Sequence, residues 1–510
     1  MKPSNELFKL INSLSKSEKR FFKLSSSLQS GEKNYLKIFN FIEKQSKYDE
    51  DELKQHFKKE RFIQHLPSEK NHLYRLILKS LRSFYSDKTV SSQLKQEIKN
   101  VEILYNKALF RECDKFVSRA KKIAKDNEKF YYWFELISWE KKLLEEAYEA
   151  GEFGKDLDEL IEEEQIVIEK LRNLAEYQVI YSKINLIFRS GGFARNSQER
   201  EEVKKIADYH LIKGKNTAIS ARATTMCYYI KGLCAATNRD YSDAFTFFNK
   251  TKSILDENPK IKVDSAQRYV MTLVHLCRCH IENHDFDLSI KLIDEIRSLA
   301  AEKGFNSMDI EVKCFFNSYN LELRLMQVSG KYDKAESLLK KLEEKENIYS
   351  DMINKEQEVL LNCNKSDMYF ALGDFKKALG YLNNVLNDNE QNLRQDIYSF
   401  ARVFNLILHY ELENYDFLEY VIKSTNRYLN KQERTLQIEI SLIRYLKKLS
   451  KTQNESAKNK IFNDFHAELK LLIKDENESV LLEYFNIIAW IESKVNKLDF
   501  SKVIQTLINQ

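Results

Sequence analysis

Glycine and proline are scarce, 11 and 3 in 510 residues. Parallel sheets and turn-rich sandwiches need more chain punctuation than that, whereas long helices need little. No window of 18 or more residues is free of charge, so no helix is expected to span a bilayer. The N-terminus lacks a basic stretch leading into an uninterrupted apolar run, and no signal peptide is expected. Cysteine is sparse and odd in number: Cys113, Cys227, Cys234, Cys277, Cys279, Cys314 and Cys363 are scattered through helical patterns. That argues against a disulfide scaffold and for a reducing, cytoplasmic location. Glycine-rich phosphate loops and a Gly-x-Ser-x-Gly elbow are missing too. With no residue set to carry a reaction, the chain is expected not to be an enzyme and to need no cofactor.

What is present points to an all-α protein. Charged residues make up 31% of the chain and hydrophobic ones 43%, enough to build a buried core. The net charge of +5 is unevenly placed. Residues 1–90 hold 19 Lys and Arg against 11 Asp and Glu, while the remainder holds 63 against 66.

Four or five shorter helices fit residues 4–86. Leu7, Leu10, Ile11 and Leu14 fall at helical spacing, and Ser15-x-x-Glu18 reads as a capping box for the next helix. Tyr35, Ile38, Phe39 and Ile42 give a third face, and Asp49 and Asp51 open a short fourth helix. From Pro67 a longer helix carries Leu73, Leu76, Ile77, Leu81 and Phe84 on one side. Arg75, Lys79 and Arg82 stand opposite, as a basic stripe turned to solvent. Short helix, connection, longer basic helix is also the outline of a nucleic-acid reader. Nucleic acid, or an acidic partner, is therefore an alternative partner for this face.

From about residue 91 the pattern becomes paired helices. The aromatic expected to open each second helix recurs at Phe110, Phe153, Phe193, Tyr241, Phe286, Tyr332, Phe375 and Tyr415, at intervals of 40–48 residues. Two more breaks fit near 451–457 and 496–499. A repeat of this length marks stacked helical hairpins, each with an apolar face that it cannot bury alone. Gly191, Gly192 and the polar run Asn196 to Glu202 leave room for a joint near 190–200.

The residues within the units over about 225–386 resemble the tetratricopeptide repeat, and those outside it do so more weakly. Tyr228, Gly232, Tyr241, Ala244 and Phe248 fall on that family's pattern of aromatic, small and turn positions. Tyr319, Gly330, Tyr332, Ala335 and Leu339 do so again, as do Tyr369, Gly373, Phe375, Ala378 and Leu382. Ser289 and Leu418 depart from the alanine position, and the period exceeds the family's roughly 34 residues. The resemblance implies an α-solenoid of stacked antiparallel hairpins over 91–510, behind a basic helical segment at 1–90. It also implies a concave face, lined by first helices, that holds a protein or peptide. Its groove positions would be Arg278, Asn317, Asn320, Arg324 and Gln327. The family's clamp for a C-terminal carboxylate is not reproduced, since Leu233 and Asp367 replace its asparagine.

No metal site is expected. His280 and His284 are four apart, but a zinc site needs three or four ligands, and the pair straddles a hairpin break. Cys277 and Cys279 would point about 200° apart on a helix, so their sulfurs diverge. The leading expectation is a non-catalytic binding scaffold. The alternative is a regulator that touches nucleic acid through Arg75, Lys79 and Arg82 while the repeats sense a partner.

Overall fold

The computed structural model describes residues 5–27, 33–148, 156–189, 192–194, 196–349, 352–388, 395–430, 436–475 and 477–508. Every regular element among them is helical. The chain forms two compact units, Met1–Leu171 and Arg172–Gln510.

The first unit opens with α1 (Glu6–Ser13), α2 (Lys16–Ser27), α3 (Asn34–Ile42) and α4 (Glu50–His56). A 3-10 turn at Arg61–His65 leads into α5 (Leu66–Phe84). The capping box forms as the sequence predicts. Ser15 N donates to Glu18 Oε2 at 2.6 Å, and Glu18 N donates to Ser15 Oγ at 3.3 Å. Asp49 caps α4 by accepting from the amides of Asp51 and Glu52. Ile11, Ile38, Phe39, Ile42, Leu73 and Ile77 are fully buried in one core, so α5 packs its apolar face on α1, α2 and α3. Beyond it, α6 (Val90–Asn106) pairs with α7 (Phe110–Asp126), and α7 packs on α8 (Phe130–Tyr148). The first half of α9 (Leu157–Arg189) is tied to this pair through Glu163, which bonds Lys121 at 3.0 Å and the Trp133 indole at 2.6 Å.

The second unit is a solenoid of stacked antiparallel hairpins. After α9 come α10 (Ser197–Ala207) and α11 (His210–Lys213). The hairpins follow: α12 (Ala221–Thr237) with α13 (Tyr241–Glu257), and, after the short α14 (Pro259–Asp264), α15 (Ala266–Glu282) with α16 (Phe286–Leu299). Next are α17 (Met308–Ser329) with α18 (Ala335–Tyr349), and α19 (Lys355–Ala371) with α20 (Phe375–Leu386). Then come α21 (Gln395–Glu411) with α22 (Tyr415–Leu429), and α23 (Gln437–Leu449) with α24 (Glu455–Leu472). A 3-10 turn at Glu478–Glu483 precedes the last pair, α25 (Ile487–Asn496) and α26 (Phe500–Ile508).

One turn design recurs at these breaks. A single residue takes a left-handed conformation, Arg239 at φ 62, His284 at φ 64, Gly373 at φ 77 and Glu413 at φ 58. The next amide then reaches back five residues. Asp240 N bonds Ala235 O at 2.9 Å, Asp285 N bonds His280 O at 2.8 Å, Asp374 N bonds Tyr369 O at 2.9 Å, and Asn414 N bonds His409 O at 3.0 Å. This closure satisfies carbonyls that the ending helix leaves open. The same Asp or Asn then precedes the second helix, and Asp240 and Asp374 cap it through their side chains. The aromatic comes next, as helix residue one.

Phe110, Tyr241, Phe286, Phe375 and Tyr415 open second helices as predicted, and the breaks near 451–457 and 496–499 are present. Tyr332 falls three residues short of α18. Phe193 does not open a helix. The chain there runs from α9 to α10, and Phe193 is buried against Tyr484 with ring centroids 5.8 Å apart. Phe153 lies outside the described residues.

Successive inner helices α15, α17, α19, α21 and α23 stack side by side, each second helix filling behind them. Gly232 lets α12 approach α13 closely. A Cβ there would lie 2.7 Å from the ring of Phe248, which is completely buried. Forcing a methyl into such a contact costs about 1–3 kcal/mol, against at most about 1 kcal/mol gained in helix propensity. Gly232→Ala is therefore expected to lower the thermal unfolding midpoint; an unchanged or raised midpoint would show that α12 and α13 have slack.

Candidate functional site

The groove residues expected from the sequence lie on α15 and α17, and the structure brings some of them together. Arg324 forks onto Glu282, with Nε to Oε1 at 3.0 Å and Nη2 to Oε2 at 3.1 Å. Its remaining donors go to Glu483, with Nη1 to the backbone carbonyl at 2.9 Å and Nη2 to Oε2 at 3.2 Å. Arg278 forms an ion pair with Glu282 at 2.6 Å, its helical partner four residues on, and donates Nη2 to Glu483 Oε2 at 3.2 Å. Arg239, at the α12–α13 turn, lies 4.0 Å from Glu483 Oε1 and donates to Ser479 Oγ at 3.1 Å. Three arginines thus surround two glutamates.

This cluster is largely withdrawn from water. Side chains of Arg324, Glu282 and Glu483 are only 15%, 11% and 14% exposed. Burial by itself would raise the Glu282 carboxyl, but the charges of Arg278 and Arg324 overcome it and hold the group at about 2. Glu282 is therefore ionised at any physiological pH. Bidentate charge-assisted contacts of this kind are the strong ones, and they survive burial only because each charge finds a partner.

The other expected groove residues have different neighbours. Gln327 Nε2 donates to Asp367 Oδ2 at 2.7 Å. Asn320 accepts from Asn364 at 2.7 Å, joining α17 to α19. Asn317 bonds back to the carbonyl of Lys313 on its own helix. Arg324, Gln327 and Asp367 line a cavity of about 470 Å³ together with the apolar Phe485, Phe500 and Ile504. Sequence reasoning missed the anionic half of the site. Glu282 could have been found from its spacing to Arg278, but Glu483 lies 205 residues from Arg278 and carries no local signal.

No protein-family model and no curated protein matches the chain. Among solved structures, it is similar to the apo form of the quorum sensor NprR from B. thuringiensis. The two are 15% identical with a TM-score of 0.40, over 76% of this chain and 98% of that one.

On α5, Arg75, Lys79 and Arg82 are all exposed, and none pairs with a described acidic residue. The two histidines straddle the hairpin break as expected: α15 stops at Glu282 and His284 occupies the left-handed turn position. His280 Nδ1 lies 3.2 Å from Asp285 Oδ2. All seven cysteines are buried. Among the described residues no helix is long and apolar enough to cross a membrane.

Asp367 is the least comfortable group of the site. It is 5% exposed, and burial pushes its carboxyl up to about 7, against the pull of the Gln327 hydrogen bond and the Arg324 charge. The unfolded chain loses this proton near the ordinary value of 3.8, while the folded chain keeps it until about 7. The folded state binds the extra proton between those values, so stability falls as pH rises through that window. Asp367→Asn is expected to raise the unfolding midpoint relative to wild type clearly more at pH 8 than at pH 5, where only the first part of the window has been crossed. An equal shift at both pH values would mean that ionisation is not the cause.

Proposed function

We propose that the protein is a non-catalytic scaffold that binds a protein or peptide on the inner face of its helical repeats. The tetratricopeptide-like placement of its aromatic and small residues supports this reading, and we place it in the cytoplasm, where buried thiols stay reduced. The observation that carries it is the arginine pair on α15 and α17, set beside the cavity of about 470 Å³ with its mixed polar and apolar walls. Planar guanidinium groups fixed on rigid helices read carboxylates with defined geometry, and the apolar wall supplies the area for adjoining side chains. A multivalent phage-displayed peptide library panned against the full chain tests it. Enriched peptides are expected to lose about tenfold or more in affinity with Arg278→Ala or Arg324→Ala. Enrichment of nothing, or of peptides indifferent to both substitutions in folded variants, would remove the reading.

The second reading, a regulator that contacts nucleic acid, is favoured by the open state of Arg75, Lys79 and Arg82. Exposed cations on one helix face neutralise phosphates and release counterions, so binding to duplex DNA should weaken steeply with salt. Replacing all three by alanine leaves the α5 core untouched, and stability should change little. It is expected to reduce the slope of log K against log salt by about 3. Failure of the wild-type chain to shift a duplex at low salt would exclude this role.

A further inference from the structure

The residues that meet the arginine pair come from the chain itself. Between the end of α24 and the start of α25, three consecutive side chains are each received by a different part of the inner face. Glu483 sits on Arg278 and Arg324, and Arg324 also takes its backbone carbonyl. Tyr484 donates its hydroxyl to Asp396 at 2.6 Å and stacks on Phe400 with centroids 5.2 Å apart. Phe485 is buried against Phe404 at 4.9 Å and Phe370 at 5.1 Å. A charged anchor, a main-chain contact and two aromatic anchors in a row amount to a peptide-recognition pattern.

The segment is fixed at its two ends by contacts independent of the groove. Glu478 accepts from the amides of Gln437 and Ile438, both at 3.0 Å, and so caps α23. Asn486 caps α25 by accepting from Ala489 N at 2.9 Å. Both caps lie outside residues 479–485, so displacing that stretch would leave the two helix starts in place, at the cost of exposing Val480, Leu481 and Phe485, which are buried. Leaving would strip the arginine pair of one of its two carboxylates, and a buried cation without an anion is costly. Whatever displaces the segment must bring a carboxylate with it.

We propose that residues 479–485 are an internal occupant of the inner face, and that the external partner competing for this place is a peptide with an acidic residue followed directly by two aromatic ones. The proposal rests on the reading of this face as a peptide site and adds the partner's chemistry and a built-in competitor. Binding is then set by the fraction of molecules in which the segment has lifted.

A fluorescein-labelled peptide copying residues 477–486 tests this by anisotropy on the full chain. Wild type is expected to bind it weakly. Glu483→Ala, which weakens the internal competitor and leaves a vacancy for a carboxylate, should bind about tenfold or more tightly. The unlabelled peptide should also raise the unfolding midpoint of that variant. A peptide with glutamine in place of its second glutamate should lose the gain, as should the double variant Glu483→Ala/Arg324→Ala. Should Glu483→Ala fail to fold, Tyr484→Ala is expected to show the same gain. In unaltered protein, saturating peptide should speed amide exchange over residues 479–485. Affinity no higher in the variants than in wild type, or exchange unchanged at saturation, would overturn the proposal. Arg324-dependent capture of library peptides would in that case still stand.

Discussion

The hairpin turn is the constraint from which the second unit is built. A helix ends with carbonyls that need donors, and at four of the hairpin breaks a left-handed residue turns the chain so that the following amide supplies one. Because Asp240 and Asp374 then cap the next helix, one short sequence both stops a helix and starts its partner. The aromatic that follows is thereby placed at the same helix position at Tyr241, Phe286, Phe375 and Tyr415. Identical turns give nearly identical hairpins, and such hairpins stack because no other arrangement buries their apolar faces. The left-handed residue need not be glycine: Arg239, His284 and Glu413 adopt the same conformation as Gly373. Non-glycine residues accept a modest local strain there, and the closing hydrogen bonds and stacked neighbours hold them in it.

Stacking also decides the electrostatics of the inner face. Inner helices approach side by side, so residues at equivalent positions on α15 and α17 come within reach of each other. Two arginines in that position would repel, and burial would make the repulsion expensive. Glu282, one turn beyond Arg278, resolves it from within the same helix, and Glu483 does so from the far end of the chain. Asp367 is the group left over. Arg324 has already spent its donors on Glu282 and Glu483, so Asp367 receives one hydrogen bond from Gln327 and its carboxyl is raised to about 7.

The fold was legible in the sequence because its determinants are local. Ser15 and Glu18, Asp49 with the residues it caps, and the aromatics at Phe110, Tyr241, Phe286, Phe375 and Tyr415 each act within a few residues of themselves. Regularity misled at Phe193, where the interval suggested a helix start and the chain instead makes a connection buried against Tyr484. The candidate site was only half legible. Arg278, Arg324 and Gln327 sit where the repeat pattern put them, but nothing near them in sequence announces Glu483, Tyr484 or Phe485. Long-range closure of a solenoid leaves no periodic trace, and charge composition cannot tell a cation that faces water from one already matched.

That last distinction separates the two basic features of the molecule. Arg75, Lys79 and Arg82 carry the same charge as the inner arginines and occupy a helix face just as regular. Water screens them, so they need no anion to be stable and gain little by keeping one. Arg324 is in the opposite state, since removing its carboxylates would leave charge uncompensated where little water reaches, while Arg278 beside it is 36% exposed. The exposed stripe can therefore accept or release an anion freely, with salt as its main competitor. The inner face can only exchange one carboxylate for another. A neutral peptide, however well it filled the apolar wall, would have to leave Glu483 where it is.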